Sequence, residues 1–388
     1  MLSRRSFLKA SSVVALSATV PLFVTRSARA ADPDKDARVL VVVEMDGGND
    51  ALNTVVPHAD AEYAKLRPRL KIDPKRLVKV TDDVGLHPAL KPLDKLLGDG
   101  QLAVIPGVGY PNPNRSHFES MAIWQTARFE EAELRGYGWL GRAMDPSAGN
   151  LFAVGGEVAT SLRGRRSSAV AFKRIEEVLL IDTAAAKAGV GSEPADDLLA
   201  YVRRQAADAH SAADKLAALT KDKGGATYPQ SELAQRLKIV AKLLKADVGA
   251  RVFYTSFNGF DTHSLQQFTH AELLSEFAGA VAAFFADLTA SKLAERVSLL
   301  SFSEFGRTIK ENGSAGTDHG TAGACFVAGP TVAGGLVGSM PSLTDLSGGE
   351  PKMTTDFRSV YHSLLTGWMG LPADDGAEKL PAVKLFRG

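Results

Sequence analysis

Five runs of the chain, 39–43, 102–105, 252–256, 297–302 and 324–328, are apolar on both faces instead of alternating with polar positions. Strands covered by helices on both sides read this way, so these runs predict parallel strands in the middle of a sheet. Between them, 88–97, 117–126, 270–288 and 357–369 carry the spacing of helices packed on one face. Strand alternating with helix predicts an α/β fold, a doubly wound and mostly parallel sheet flanked by helices, with ligands at the carboxyl ends of the strands. The stretch 193–245 breaks the alternation. It is rich in Ala, Lys and Leu with a Gly224-Gly225 break, and predicts an inserted pair of helices at 196–219 and 231–244 within a single domain, 31–388.

The first thirty residues have a different pattern. Ser3-Arg4-Arg5-Ser6-Phe7-Leu8-Lys9 precedes an apolar stretch at 10–24 and the small-residue end Ala28-Arg29-Ala30. This order predicts a twin-arginine signal peptide, cleavage before Ala31, and a periplasmic or secreted protein exported already folded by the twin-arginine machinery. The apolar stretch is shorter than the roughly 20 residues that span a bilayer. No later segment is expected to span, so no stable membrane anchor is predicted. Arg4, Arg5, Lys9, Arg26 and Arg29 leave with the signal and no acid does, so the formal charge falls from +1 to −4. A mildly acidic chain with no basic stripe argues against nucleic-acid binding. Cys325 is the single cysteine, which excludes an intramolecular disulfide.

The polar residues at the strand ends carry the chemistry. Asp46 closes the first run, before Gly47-Gly48. The third runs into Asn258-Gly259-Phe260-Asp261-Thr262-His263 and the fourth into Ser303-Glu304-Phe305-Gly306-Arg307. Gly316-Thr317-Asp318-His319-Gly320 then precedes the fifth. Carboxylates and imidazoles are ligands for Zn²⁺ or a similar divalent ion, and the neighbouring glycines allow close approach. In Asn112-Pro113-Asn114-Arg115-Ser116-His117-Phe118-Glu119-Ser120, Ser116 and Glu119 form a capping-box pattern before a helix. The same position suits a nucleophilic serine, because a helix N-terminus favours anions. His117 is a candidate ligand or acid, and Arg307 a candidate clamp for an anionic oxygen. Asn49 and Asn53 either touch substrate or close the turn after Asp46. His58, His87, His270 and His362 lack a partnering motif and read as structural. Neither a dinucleotide fingerprint nor a P-loop is present.

The stretches V-V-V-E-M-D-G-G-N-D-A-L-N-T-V-V-P, R-S-H-F-E-S-M-A-I-W-Q-T, F-N-G-F-D-T-H-S, S-E-F-G-R-T, G-T-D-H-G and T-T-D-F-R-S-V-Y run from Val41 to Tyr361. On them the chain resembles the bacterial "domain of unknown function 1501" family, exported relatives of the alkaline phosphatase and sulfatase superfamily. The resemblance implies an alkaline-phosphatase-like sheet, two metal ions and a nucleophile at a helix start. Asp46 then matches a ligand of one metal and Ser116 the nucleophile touching it, while Asp261 and His263 match ligands of the other. For the remainder, either Asp318-His319 matches the superfamily's adjacent Asp-His pair, or Glu304 replaces that pair and His319 is the last histidine. The second register keeps the order strand, ligand, loop, histidine, strand. Ser116-His117-Phe118-Glu119-Ser120 is not the C-x-P-x-R or S-x-P-x-R of formylglycine sulfatases, which argues against that chemistry. The expected function is a metal-dependent phosphoric or sulfuric ester hydrolase acting on a small anionic ester, with one or two divalent ions. Zinc comes first, with Mn, Mg or Ca as alternatives. The competing expectation is a non-catalytic exported binding or assembly protein that keeps the fold.

Overall fold

The fold is that of a computed structural model describing residues 37–134, 136–146, 150–167, 169–174, 226–374 and 379–387. The signal peptide and the helix expected at 196–219 lie outside the described residues. The strands of the main sheet are β1 (Val39–Asp46), β2 (Leu102–Gly109), β3 (Asn150–Val154), β4 (Ala169–Phe172), β5 (Ala250–Asn258), β6 (Val297–Phe302), β7 (Gly323–Ala328), β8 (Gly335–Leu336) and β9 (Thr355–Asp356). Their order is β8-β2-β7-β6-β1-β5-β3-β4, with β9 also pairing β2.

The strand period of two separates the faces of this sheet. Val39, Val41, Val43 and Met45 of β1 join one core, and Leu40 and Val42 the other. The first core is covered by α2 (Glu232–Ala246) and α3 (Gln266–Ala290), which bury Leu237, Val240 and Leu244, and Leu274, Phe277, Val281, Phe284 and Leu288. On the other face, α1 (His117–Thr126) and α4 (Phe357–His362) bring in an aromatic stack of Trp124 on Phe302 and Phe357. The result is the expected doubly wound, mostly parallel α/β architecture. The helix expected at 231–244 is α2, capped by Ser231. The segment 357–369 begins as α4 and continues as a π-helical stretch, Ser363–Trp368.

Two expectations are corrected. First, 324–328 is not parallel: β7 runs antiparallel to both β2 and β6. The loop from β6 contains no helix and returns into the sheet from the edge it left, which reverses the strand. As a consequence, the start of β7 lies at the same edge as the ends of β1, β2, β5 and β6. Second, α3 is long and apolar enough, by length and composition, to cross a membrane. Its buried residues instead share one core with β1, and the helix packs on α2 and on the 3₁₀ stretch Pro88–Leu93.

Candidate metal centre

The turn after β1 is shaped by two close approaches. Gly47 has φ +115° and Gly48 φ +72°, and a Cβ on them would lie 2.5 Å from Asp261 N and 2.4 Å from the Phe305 ring. Only glycine admits both the backbone conformation and the contact. Arg307 ties this turn to its neighbours from a fully enclosed position. Its guanidinium donates to the carbonyls of Gly48 (2.6 Å), Gly47, Phe260 (3.0 Å) and Thr317 (3.2 Å), and to Asp261 Oδ1 (2.7 Å). The expected anion clamp is therefore occupied as an internal brace.

Glu304, fully buried after β6, likewise has no free oxygen. Oε1 accepts from Gly47 N (3.0 Å) and meets His117 Nδ1 at 2.6 Å, while Oε2 accepts from the Ser303 hydroxyl (2.9 Å). Its carbonyl accepts from Ser120 Oγ at 2.6 Å. His117 and Ser120, one turn apart on α1, thus grip the same residue and aim the His117 ring inward. Glu304 positions a ligand candidate; the direct ligation expected from the sequence is not the geometry observed.

Four side chains from three segments, the start of α1 and the loops after β5 and before β7, converge beyond this brace. Around Asp261 Oδ1 lie the Nε2 atoms of His263 at 2.9 Å, His319 at 3.2 Å and His117 at 3.5 Å. His263 Nε2 and His319 Nε2 are 3.0 Å apart. The donor atoms of His117, Asp261 and His319 lie within 4.8 Å of one another. Each imidazole has its other nitrogen on an acceptor: His117 Nδ1 on Glu304, His263 Nδ1 on Asp318 Oδ1 (3.1 Å) and His319 Nδ1 on the Arg115 carbonyl (2.8 Å). A carbonyl accepts only, and both Glu304 oxygens are already accepting, so Nδ1 carries the proton. In the neutral form of each imidazole the Nε2 lone pair is then turned toward one carboxylate oxygen. His117 Nε2 is buried without a hydrogen-bond partner. Ligands about a tetrahedral ion with ~2.0–2.1 Å bonds stand roughly 3.4 Å apart. The separations of 2.9–3.5 Å about Asp261 Oδ1 and of 3.0 Å between His263 and His319 lie near that value, so this donor set fits a zinc-like divalent ion.

The charges of the cluster are set by its neighbours. Burial opposes ionisation of Asp261, but the Arg307 hydrogen bond and charge, with His319 and His263, hold its carboxyl down at about 2. The hydrogen bond to Glu304 raises His117 above the ordinary imidazole value, against the effect of burial. Asp318 is lowered by hydrogen bonds from Asn312 and His263. It stands behind His263 and not beside it as a ligand. Asp46 is raised by burial and by the charges of Glu304 and Asp261, and has no hydrogen bond from the cluster.

The remaining candidates separate clearly. Ser116 is exposed at the start of α1, and its hydroxyl makes no capping hydrogen bond. The expected capping box does not form: Glu119 accepts from Asn114 Nδ2 (2.6 Å), and Ser116 N donates to Asn114 Oδ1 (2.8 Å). Asn49 and Asn53 are buried structural links, to Thr54 and His270 and to Leu70 and Tyr63. His270, lowered to about 4 by burial, is enclosed and meets Asn49 Oδ1 at 2.9 Å. The Arg115 carbonyl was not foreseen, since a backbone group leaves no signature in sequence.

A model of the family described as Protein of unknown function (DUF1501) matches residues 37–366. The chain belongs to this family. No curated protein matches it. Among solved structures it is similar to the C-terminal periplasmic domain of EcEptC from Escherichia coli in complex with Zn, at 11% identity over 76% of this chain and 73% of that one, TM-score 0.37. It is also similar to alkaline phosphatase from the Antarctic bacterium TAB5, at 9% identity over 76% and 91%, TM-score 0.34. A third is the lipoteichoic acid synthase LtaP from Listeria monocytogenes, at 9% identity over 84% and 77%, TM-score 0.35.

Proposed function

We propose that this chain is an exported metal-dependent hydrolase of phosphate or related anionic esters, with one divalent ion, zinc by the character of its donors, held by His117, Asp261, His263 and His319. The observation that supports it most is the convergence of three Nε2 atoms on Asp261 Oδ1 with every Nδ1 already engaged. Bound there, such an ion supplies Lewis-acid stabilisation of the negative charge that builds on an ester oxygen.

The chain's own residues supply position. Glu304, Asp318 and the Arg115 carbonyl hold the three imidazoles in one tautomer, and Arg307 holds Asp261. Ser116 offers an uncommitted hydroxyl at the N-terminus of α1, where the helix N–H groups favour an anionic group. In this reading Ser116 Oγ displaces the alcohol of the ester, the hydroxyl proton leaving with the departing oxygen. Water then returns the seryl phosphate to serine and inorganic phosphate. Export follows from the paired arginines and the Ala28-Arg29-Ala30 end, with the twin-arginine machinery as partner.

The test uses processed protein recovered from the periplasm. A chain found only in the cytoplasm sinks the export claim. Elemental analysis should give close to one divalent ion per chain, and less than roughly a tenth of an equivalent refutes the metal centre. Single-turnover hydrolysis of an aryl phosphate is then compared with Ser116→Ala at matched metal content. Loss of hydrolysis with an unchanged circular dichroism spectrum is expected, whereas equal rates refute Ser116 as nucleophile. Metal binding without any ester hydrolysis by the wild type favours the non-catalytic alternative.

A further inference from the structure

Helix α1 turns His117 and Ser120 toward Glu304, and the residue between His117 and Glu119 faces the other way. Phe118 is 90% exposed, the most exposed large apolar side chain among the described residues. It does not stand alone. Phe118 lines a groove of about 770 Å³ together with Tyr110, Ala122, Ile123, Phe129 and Leu134. The groove is preformed. The Tyr110 hydroxyl contacts Ser120 Oγ (2.9 Å) and accepts from Asn114 N (3.0 Å), fixing the loop against α1. The Phe129 ring lies 5.7 Å from Tyr110 and is backed by the Arg358 guanidinium at 4.6 Å.

Two further observations select the occupant. Asn114 is part of the lining, and its Oδ1 accepts from Ser116 N at 2.8 Å, which ties the groove wall to the backbone of the candidate nucleophile. The charged residues of the lining, Glu119 and Glu131, are both acidic, and among the described residues no cation lines it. A second anionic group is repelled there, while an uncharged apolar segment is taken out of water against aromatic and aliphatic walls.

We infer that this groove binds the apolar alcohol part of the ester, so that the substrate class is an amphiphilic monoester, an anionic head on an alkyl or aryl-alkyl chain. This rests on the ester-hydrolase reading above. The head sits at Ser116 and the metal donors, and the chain lies along α1 over Phe118, Ile123 and Phe129.

The experiment measures calorimetric binding of n-alkylphosphonates from ethyl to decyl, below their micellar concentrations, to the full mature protein with and without chelator. Affinity should rise about two- to fourfold per added methylene until the groove is filled. Phe118→Ser, a substitution at an exposed position, should flatten that dependence while leaving ethylphosphonate binding and metal content unchanged. A wild-type affinity independent of chain length overturns the inference, as does a chain-length dependence that Phe118→Ser leaves intact. The two readings fail differently. If chelation changes no affinity but the chain-length dependence persists, the metal centre is wrong and the groove stands. If chelation abolishes binding and chain length has no effect, the groove alone is wrong. A concentration-dependent dimer that Phe118→Ser dissociates assigns this face to a second copy of the chain and also overturns it.

Discussion

Three carboxylates in the stretch 44–50 are drawn out of water by the same strand and turn, and their partners decide what becomes of them. Asp50 is fully buried, yet it is lowered, because Arg67 at 2.6 Å outweighs the burial that would raise it. Asp46 is raised by burial and by neighbouring carboxylates. Glu44 has only neutral donors, Gln125 Nε2 at 2.7 Å and the Tyr254 hydroxyl, and burial lifts it to about 7, well above the usual carboxylate range. A carboxyl raised in the folded state contributes stability that is complete below about pH 4.5 and is lost as pH rises through about 7. Glu44→Gln keeps the shape and an acceptor for Tyr254 but removes the ionisation. The variant should gain on the wild type by on the order of 1–3 kcal/mol between pH 4.5 and pH 8. Urea unfolding at pH 4.5 and pH 8 measures this, and an equal difference at both pH values refutes it. At this scale the sequence showed which residue types stood at the strand ends but not their roles. Glu304 orients His117 across 187 positions and Asp318 orients His263 across 55, distances at which no local pattern operates.

The elements were more legible than their directions. Apolar runs marked β1, β2, β5, β6 and β7 because burial on both faces demands them. Burial is the same for a central strand of either direction, so the reversal of β7 left no trace in composition. Helix ends show the same limit. Ser116 and Glu119 have the capping spacing, but Asn114 engages both the Ser116 N–H and the Glu119 carboxylate, the two ends of the bond that would close the box. At the other end of a helix, α2 stops at Asp247, which is exposed with φ 51° and ψ 59°. That left-handed position favours Gly or Asn, and a negative charge there opposes the helix dipole. The Arg296 contact at 3.9 Å is partly exposed and offsets little. Asp247→Asn should therefore stabilise the protein by about 0.3–1 kcal/mol at low ionic strength. The gain should shrink in ~1 M salt as the dipole term is screened. Denaturation curves at the two salt concentrations check it, and a loss of stability, or a gain indifferent to salt, rules the argument out.

On the scale of the whole molecule, the candidate centre exists only when the sheet is complete. His117 follows β2, Asp261 and His263 follow β5, and His319 precedes β7, while β6 and β1 lie between those strands. The sequence could place these residues at one edge of a doubly wound sheet, because ligands gather at carboxyl ends. The antiparallel entry of β7, which brings His319 to that edge, came only with the fold. An ion held at this candidate centre by three separated segments would bind the native chain and not the unfolded one, so it should stabilise the fold by mass action. Free zinc at about 100 times its dissociation constant should add roughly 2.7 kcal/mol to the unfolding free energy, and chelation should remove it. Asp261→Asn keeps the volume of the side chain but weakens the charged oxygen on which all three imidazoles converge, so its stability should respond far less to zinc. The measurement is the unfolding midpoint of both proteins across a series of buffered free-zinc concentrations. A wild-type midpoint flat across that series, or an identical response in Asp261→Asn, would show that the ion does not bind where the four donors meet.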